Sequence, residues 1–480
     1  MIDMLAAAGA TQIEPSAVPP PAQGCGPGGR LAFPAPGHRA RSDIDQVIVG
    51  IDRLLSAQVN AILDHPRFQK LETSWRSLRY LTEVADGIED IRIKVLTVSW
   101  EALARDLTRA VEFDQSQLFD KIYNQEFGMP GGEPFGLLVG DYEISPFPAA
   151  GEPDTLEVLS KIATVSAAAF APFICGISPA MFGLDDFQGL GDPIDLFGVF
   201  RRSEFQNWRH FQRNDDLRFI GLTLPHMLVR EPWADDGSRR DGFRFFAGRE
   251  RGGRFGYLWT SAAYAFAGVA LRAFGNCGWF TEIRGARRDD PGGGLVSDLP
   301  VPSFETDRPG IAIKLSTDVE ISERQERELN ELGFISLCKA RYTEYSVFYG
   351  NQSLHIPQKF DDATATVNER LSSMIQYLLC ISRFAHYIKV IFRDRVGSFS
   401  TPMEVEDFLR SWLVGHCVGN DDVSLFVKAE HPLKAADVEV REILGRPGTY
   451  YCKLQLQPHF QLDEISASFR LVTELAQSGA

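Results

Sequence analysis

The two carboxylates of "GDYEIS", Asp141 and Glu143, have the spacing in this 480-residue chain that suits chemistry best. Side chains alternate along an extended segment, so residues two apart share a face. Two carboxyls on one face could pass a proton or hold a divalent cation; they serve equally well as a structural salt bridge or as exposed surface. Just upstream, "GMPGGEPFGLLVGDYE" offers glycines beside a strand, where backbone N–H groups can cradle phosphate. A phosphate loop, however, runs strand, glycines, then a helix start aimed at the anion. Here the glycines precede the strand and no G-K-[ST] follows, so the stretch reads as a tight turn.

The nine histidines form no H-E-x-x-H motif and no i, i+4 pair. His386 in "RFAHYIKV" reads as a core or interface side chain. His416 adjoins Cys417, but neighbouring residues of a helix point in different directions. With no G-x-S-x-G elbow either, the chain lacks the convergent polar groups of an active site. No catalytic, cofactor-binding or metal-ligating residue is assigned, and the expectation is a non-enzyme. The alternatives are a cytoplasmic nucleotide- or cation-dependent enzyme built on Asp141 and Glu143, or a non-polymerising accessory scaffold.

The elements that would position these residues follow from periodicity. Ile13 to Arg41 is rich in Pro, Gly and Ala and reads as a flexible arm. Val47, Ile48, Ile51, Leu54, Leu55, Val59, Ile62 and Leu63 then recur at helical spacing. In "HPRFQKLETSWRSLRYL" the spacing of Phe68, Leu71, Trp75, Leu78 and Leu81 predicts a second packed helix, capped by Asp64 with Pro66 in its first turn and with Trp75 buried. "IRIKVLTVSW" predicts a buried strand, as do "FGLLVGDYEIS", "APFICGIS" and "LRFIGLTLPH". The helix "DTLEVLSKIATVSAAAF" falls among them. Strands alternating with helices imply an α/β (mixed α+β) fold, with helices packed on mixed sheets.

A polar, Gly-rich excursion at Glu231 to Gly256 reads as an exposed loop, and a boundary falls near Phe360 before a strongly helical region. Two half-buried strands close the chain. Tyr450, Cys452, Leu454 and Leu456 alternate with Lys453, Gln455 and Gln457, and Ile465, Ala467, Phe469 and Leu471 alternate with Ser466, Ser468 and Arg470.

With 64 acidic and 49 basic residues the net charge is -15, which repels phosphate backbones and anionic lipid, so nucleic acid is excluded as the first expectation. Seven cysteines lacking any C-x-x-C pair point to buried free thiols in a reducing compartment. The N-terminus places Asp3 where a secretory signal carries Lys or Arg, and the apolar run Val165 to Ser178 is too short to span a bilayer. These features predict a cytoplasmic protein without membrane insertion.

The blocks "HPRFQKLETSWRSLRYL", "IRIKVLTVSWEAL", "FDKIYNQEFGMPGGEPFGLLVGDYEIS", "APFICGISPAMFGL", "LRFIGLTLPHMLVR", "FAHYIKVIFRDRVGSF" and "LQPHFQLDEISASFRLVTEL" resemble, in order, the large subunit of the bacterial type VI secretion contractile sheath, the TssC/VipB/EvpB family. The resemblance covers about Asp43 to Leu475. It implies a structural subunit whose partners are the small sheath subunit (TssB/VipA-like), neighbouring sheath protomers, the inner tube ring protein (Hcp-like), the baseplate and an AAA+ unfoldase (ClpV-like). It also implies a C-terminal phage-tail-sheath-like domain, and with the boundary near Phe360 divides the chain into an arm (1–42), N-terminal and middle sheath domains including the two opening helices (43–360), and a C-terminal sheath domain (361–480).

On that reading, Lys453, Leu454, Gln455, Leu456, Gln457, Ile465, Ser466, Phe469, Arg470 and Leu471 are candidates for strand pairing between subunits, an internal ribbon being the alternative. Arg76 and Arg79 are candidates for the small subunit. Glu404, Glu406 and Asp407 could meet the tube or simply face solvent, and Ile2, Met4 and Leu5 are candidates for the unfoldase.

Overall fold

The structure, a computed structural model, describes residues 36–129, 131–148, 151, 153–233, 242–246, 256–286, 292–302, 315–340, 343, 345–394, 401–420, 422–442, 450–459 and 469–475. The strands are β1 (Leu138–Ile144), β2 (Phe173–Ile177), β3 (Ile220–Leu224), β4 (His226–Arg230), β5 (Leu258–Ser261), β6 (Leu295–Val296), β7 (Phe334–Lys339), β8 (Ser346–Phe348), β9 (Leu433–Glu442), β10 (Tyr450–Pro458) and β11 (Phe469–Leu475). They build a six-stranded sheet in the order β1-β2-β3-β7-β8-β6, a three-stranded sheet β11-β10-β9 and the hairpin β4-β5.

The run β1-β2-β3-β7 is parallel, and β8 and β6 continue it antiparallel. Strands β2 and β3 are buried at every position, as a parallel sheet covered on both faces requires. Phe173, Cys175, Ile177 and Leu222 enter the core that holds Leu159 and Ile162 of the Thr155–Ala169 helix, together with Trp208. Ile174, Ile335 and Leu337 enter the opposite core with Phe266 and Val269 of the Ala263–Cys277 helix. A third core joins the Ile375–Asp394 and Pro402–Val414 helices to β9 and β10 through Phe384, Leu409, Val438 and Leu454. The fold is thus α/β, with helices packed on mixed sheets.

The longer helices before the sheet are α1 (Pro36–Leu63), α2 (Pro66–Val84) and α3 (Trp100–Arg109), followed by short helical segments between Phe113 and Phe127. Helix α1 starts earlier than the apolar periodicity, at Pro36, whose fixed φ and missing N–H suit a first helical position. The cap of α2 is His65 rather than Asp64, its ring nitrogen accepting from the Arg67 N–H at 3.2 Å.

The buried face of α2 is also not the expected one. Thr73, Ser77 and Leu81 are buried, whereas Trp75 is 66% exposed and Leu71 is exposed as well. The small side chains allow close approach to the core: Ser77 Oγ donates to the Thr73 carbonyl at 2.8 Å and lies 3.3 Å from Thr260 Oγ1. Tyr80 packs so tightly on the Ala263–Cys277 helix that a Cβ at Gly268 would lie 2.5 Å from its hydroxyl. Trp75 is too bulky for that seam and points away from it.

"IRIKVLTVSW" likewise departs from expectation, since Ile91 to Ser99 is in no sheet and is largely exposed. Among the described residues no helix is long and apolar enough to cross a membrane. The seam at Gly268 makes a test. Gly268→Ala is expected to lower stability by about 1–3 kcal/mol through overpacking, read as a lower urea midpoint with unchanged slope; an unchanged midpoint would mean that α2 is not fixed by this contact.

Candidate assembly interface

Helix α1 is inside out. A surface helix ordinarily turns its apolar stripe to its own core. Here Asp52 and Ser56 are buried, while Ile44, Val47, Ile48, Ile51, Leu54, Val59 and Ile62 are exposed, Leu54 to 69%. Ser56 Oγ accepts from the Phe246 N–H at 3.1 Å, and Asn60 Nδ2 donates to the Phe246 carbonyl at 2.9 Å. Ser56 and Asn60, four residues apart and on the side where Asp52 is also buried, therefore hold the helix to the chain while its aliphatic side chains face away. Burying one such side chain contributes about 1.5–3 kcal/mol, and an exposed apolar surface of this extent marks an interaction site. The narrow polar stripe was visible in the sequence, but periodicity alone does not say which stripe turns inward.

Arg76 and Arg79 differ in what holds them. Arg76 Nε donates to Glu72 Oε1 at 2.8 Å and stacks over Trp233. Glu72 is also clamped by Arg230 Nε and Nη2 at 2.6 and 3.1 Å, and Arg230 shares the Trp233 ring. Arg79 pairs with Glu83 on the open surface at 2.7 Å, which leaves its guanidinium the more accessible of the two.

In the C-terminal sheet β10 is central, paired antiparallel with β9 on one side and β11 on the other. This corrects the expectation that Lys453 to Gln457 form a subunit-pairing edge: the outer strands are β9 and β11, and the outer side of β9 is engaged at Leu433 by the 416–418 segment and at Val438 and Val440 by Arg410 and Glu406, whereas β11 pairs on its outer side with no further strand among the described residues. The sequence reading overlooked β9, where charged residues and two alanines blur the alternation that Leu433, Val438 and Val440 set up. Leu454 and Leu456 are buried, Lys453 reaches Glu439 at 3.7 Å, and Gln455 is exposed. Phe469, Arg470 and Leu471 stand in register opposite Leu456, Gln455 and Leu454, whereas Ile465 and Ser466 lie outside the described residues. So do Ile2, Met4 and Leu5.

On the Pro402–Val414 helix, Glu404 and Asp407 are exposed. Glu406 turns back, pairing with Arg410 at 2.9 Å and accepting the Val440 N–H at 3.1 Å. Its carboxylate is tied to its own sheet, which corrects its assignment to the tube-facing set.

The positions that suggested chemistry are tied into the fold. A bulge in β1 falls between Gly140 and Glu143. Asp141 takes Lys70 Nζ at 3.0 Å and the Ser74 hydroxyl at 2.6 Å, both from α2. Glu143 meets His226 Nε2 at 3.1 Å, and Asp318 meets His226 Nδ1 at 3.1 Å. Burial opposes the charge on His226, but hydrogen bonds to Asp318 and Glu143 outweigh it and raise its pKa to about 9.

In the glycine turn, Arg393 donates to the carbonyls of Glu126, Met129 and Gly132 at 3.1, 3.2 and 3.1 Å. The turn thus offers acceptors to a cation, and a Cβ at Gly132 would lie 2.4 Å from the Glu126 carbonyl oxygen. Asp215, His355 and Glu369 cluster as metal ligands could, but Arg218 bridges the two carboxylates at 3.2 and 2.7 Å.

His386 is buried with Nε2 3.0 Å from the Ala169 carbonyl, and burial lowers its pKa to about 3. The His416 ring lies edge-on to Trp412, while the Cys417 thiol donates to the Leu413 carbonyl. Six cysteines are free thiols; Cys25 lies outside the described residues.

Family models and a curated relative agree on one family. Residues 45–355 match the "EvpB/VC_A0108, tail sheath N-terminal domain" and residues 364–475 the "EvpB/VC_A0108, tail sheath gpW/gp25-like domain". The chain is 39% identical over 439 residues, 91% of its own length and 86% of the relative's, to the type VI secretion system sheath protein TssC1 of Pseudomonas aeruginosa. A chain in the cryo-EM structure of the anti-feeding prophage baseplate, 6-fold symmetrised, aligns with a TM-score of 0.34 at 11% identity, covering 82% of this chain and 80% of that one.

The His226 network gives a pH test. Its folded pKa, about 9, lies above the ordinary value of 6.5. The stabilisation is therefore complete below about pH 6.5 and is lost as pH rises through about 9. The stability difference between the parent chain and His226→Gln should shrink across that window by on the order of 3 kcal/mol, measured by urea unfolding at each pH. A difference that stays constant across the window would mean that the imidazolium does not bind its carboxylates.

Proposed function

Because the chain belongs to the EvpB/VC_A0108 tail sheath family, we propose how its surfaces serve a structural large subunit of a type VI secretion contractile sheath. The inside-out helix α1 carries the reading: its outward aliphatic face, extended by Leu71 and Trp75 of α2, receives the small sheath subunit. Arg79, and to a lesser degree Arg76, supply polar contacts at the rim of that face.

The outer edge of β11 receives a strand from a neighbouring protomer, because an edge strand that would be a liability in a monomer becomes a joint in a polymer. Glu404 and Asp407 face the inner tube ring protein. The N-terminal residues Ile2, Met4 and Leu5 engage an AAA+ unfoldase that recycles the contracted sheath, and the baseplate anchors the assembly. The chain divides functionally into 1–42, 43–360 and 361–480, and works in the bacterial cytoplasm.

The role is mechanical rather than enzymatic. Asp141 and Glu143, the carboxylates best spaced for acid–base work, hold α2 and β4 in place. Contraction is a rearrangement of whole subunits between two packings, and free energy stored in the extended packing drives it.

Co-expression with the small sheath subunit of the same system tests this reading. Leu54→Glu should leave the isolated chain's unfolding midpoint within about 0.5 kcal/mol of the parent, since the side chain is already in water. Affinity for the small subunit should fall at least about 10- to 100-fold, and sheath tubes should be lost from electron micrographs. Normal co-purification and normal tubes would sink the assignment of this face.

A further inference from the structure

The linker after α2 has the makings of a strand without a sheet. Ile91 to Ser99 belongs to no helix and no sheet, and its aliphatic residues Ile93, Val95 and Leu96 are exposed, Val95 to 63%. Among the described residues no backbone–backbone hydrogen bond reaches positions 91–98. Even so, the segment is fastened at three points. Arg92 pairs with Glu133 at 3.0 Å, Lys94 pairs with Glu126 and lies over the Phe135 ring, and the Val98 carbonyl accepts the Tyr142 hydroxyl at 2.8 Å. Arg92, Lys94 and Val98, spaced by multiples of two, share one side, as a strand would place them. A connection meant only to span a gap has no need of alternate residues fixed to the body, and its sequence would not concentrate Ile, Val and Leu in water.

We propose that Ile91–Val98 is a strand awaiting its neighbour, and that a β-strand of the small sheath subunit supplies it. This rests on the reading that the same partner covers α1 and α2. The connection is physical: α2 is held to β1 through Lys70 and Ser74 on Asp141, and the linker through Tyr142, the next residue of β1. Tyr142, Val98 and Trp100, the first residue of α3, pack on the first core, whereas Tyr80 and Leu81 of α2 lie at the second, so the linker carries the chain around the β1 edge of the six-stranded sheet. A partner seated on α1 and α2 therefore borders the linker.

A second copy of this chain fits less well. The net charge of -15 opposes self-association, and the segment's own cations are already neutralised by Glu126 and Glu133. The incoming strand is expected to be aliphatic on the side that meets Ile93 and Val95. Main-chain hydrogen bonds would give affinity, and side-chain fit would give specificity.

Hydrogen–deuterium exchange of the full chain, alone and with the purified small subunit, tests the proposal. The amides of residues 92–97 should exchange rapidly in the free chain at every concentration and at least about 100-fold more slowly in the complex. Val95→Pro removes one ladder donor where the free chain uses none, so the isolated chain should keep its unfolding midpoint while affinity falls about tenfold. A complex in which α1 is protected but 92–97 exchange as in the free chain would overturn the strand pairing and leave the docking face standing. Protection that appears in the free chain as its concentration rises would assign the pairing to a second copy and overturn it too. Failure of the parent chain to bind the small subunit would overturn both readings.

Discussion

A parallel sheet buried on both faces needs two covers, and in this protein those covers leave α1 and most of α2 little apolar surface to claim. Cys175 and its alternate neighbours fill one core, and Ile174 with Ile335 fills the other. The Ala263–Cys277 helix that closes the second core is rich in alanine and contains Gly268, so what docks on it must be slim at the contact. Helix α2 meets that demand with Thr73 and Ser77, and α1 comes to rest through Ser56 and Asn60. Tyr80 and Leu81 reach the second core at the end of α2, while Leu71, Trp75 and the aliphatic side chains of α1 are left facing outward. An assembly surface arises here as the remainder of a packing problem.

Ion pairs fix the positions that hydrophobic packing leaves loose. Glu72 is shared by Arg76 and Arg230, and both guanidinium groups stack on Trp233, which joins α2 to β4 and to the loop that follows it. His226 ties β4 to β1 and to Asp318. Removing one partner of such a buried pair is more damaging than the pair's net contribution suggests, because the other charge is left uncompensated. These contacts set orientation, which a subunit that must fit many neighbours needs more than it needs extra stability.

Much of the fold was legible in the sequence. Continuous apolar runs marked β2 and β3, strict alternation marked Cys452, Leu454 and Leu456 of β10, and helical spacing marked α1 and α2. The family was legible from long blocks in a fixed order. The orientation of the helices was not, because periodicity gives the width of an apolar stripe and not its direction. Trp75 was expected inside because it is large and apolar, yet the seam required small residues. "IRIKVLTVSW" has the composition of a buried strand, and the structure leaves it exposed; its composition fits a neighbour that the chain alone does not provide. Strand β9 was missed because Ala435, Ala436 and several charges dilute its signal, and without β9 the strand β10 looked like an edge.

The Arg393 clasp has a mechanical meaning. Arg393 ends a helix of the gpW/gp25-like part and grips three carbonyls of a turn in the other part, while the same helix stacks Phe384 on Trp279 at 4.3 Å and places His386 against the Ala169 carbonyl. Three attachments spread along one helix resist both torsion and shear, where a single contact would act as a swivel. Load applied to either part is handed on to the other with little internal give. Each subunit then behaves as a stiff link, and the compliance of the filament resides in its joints.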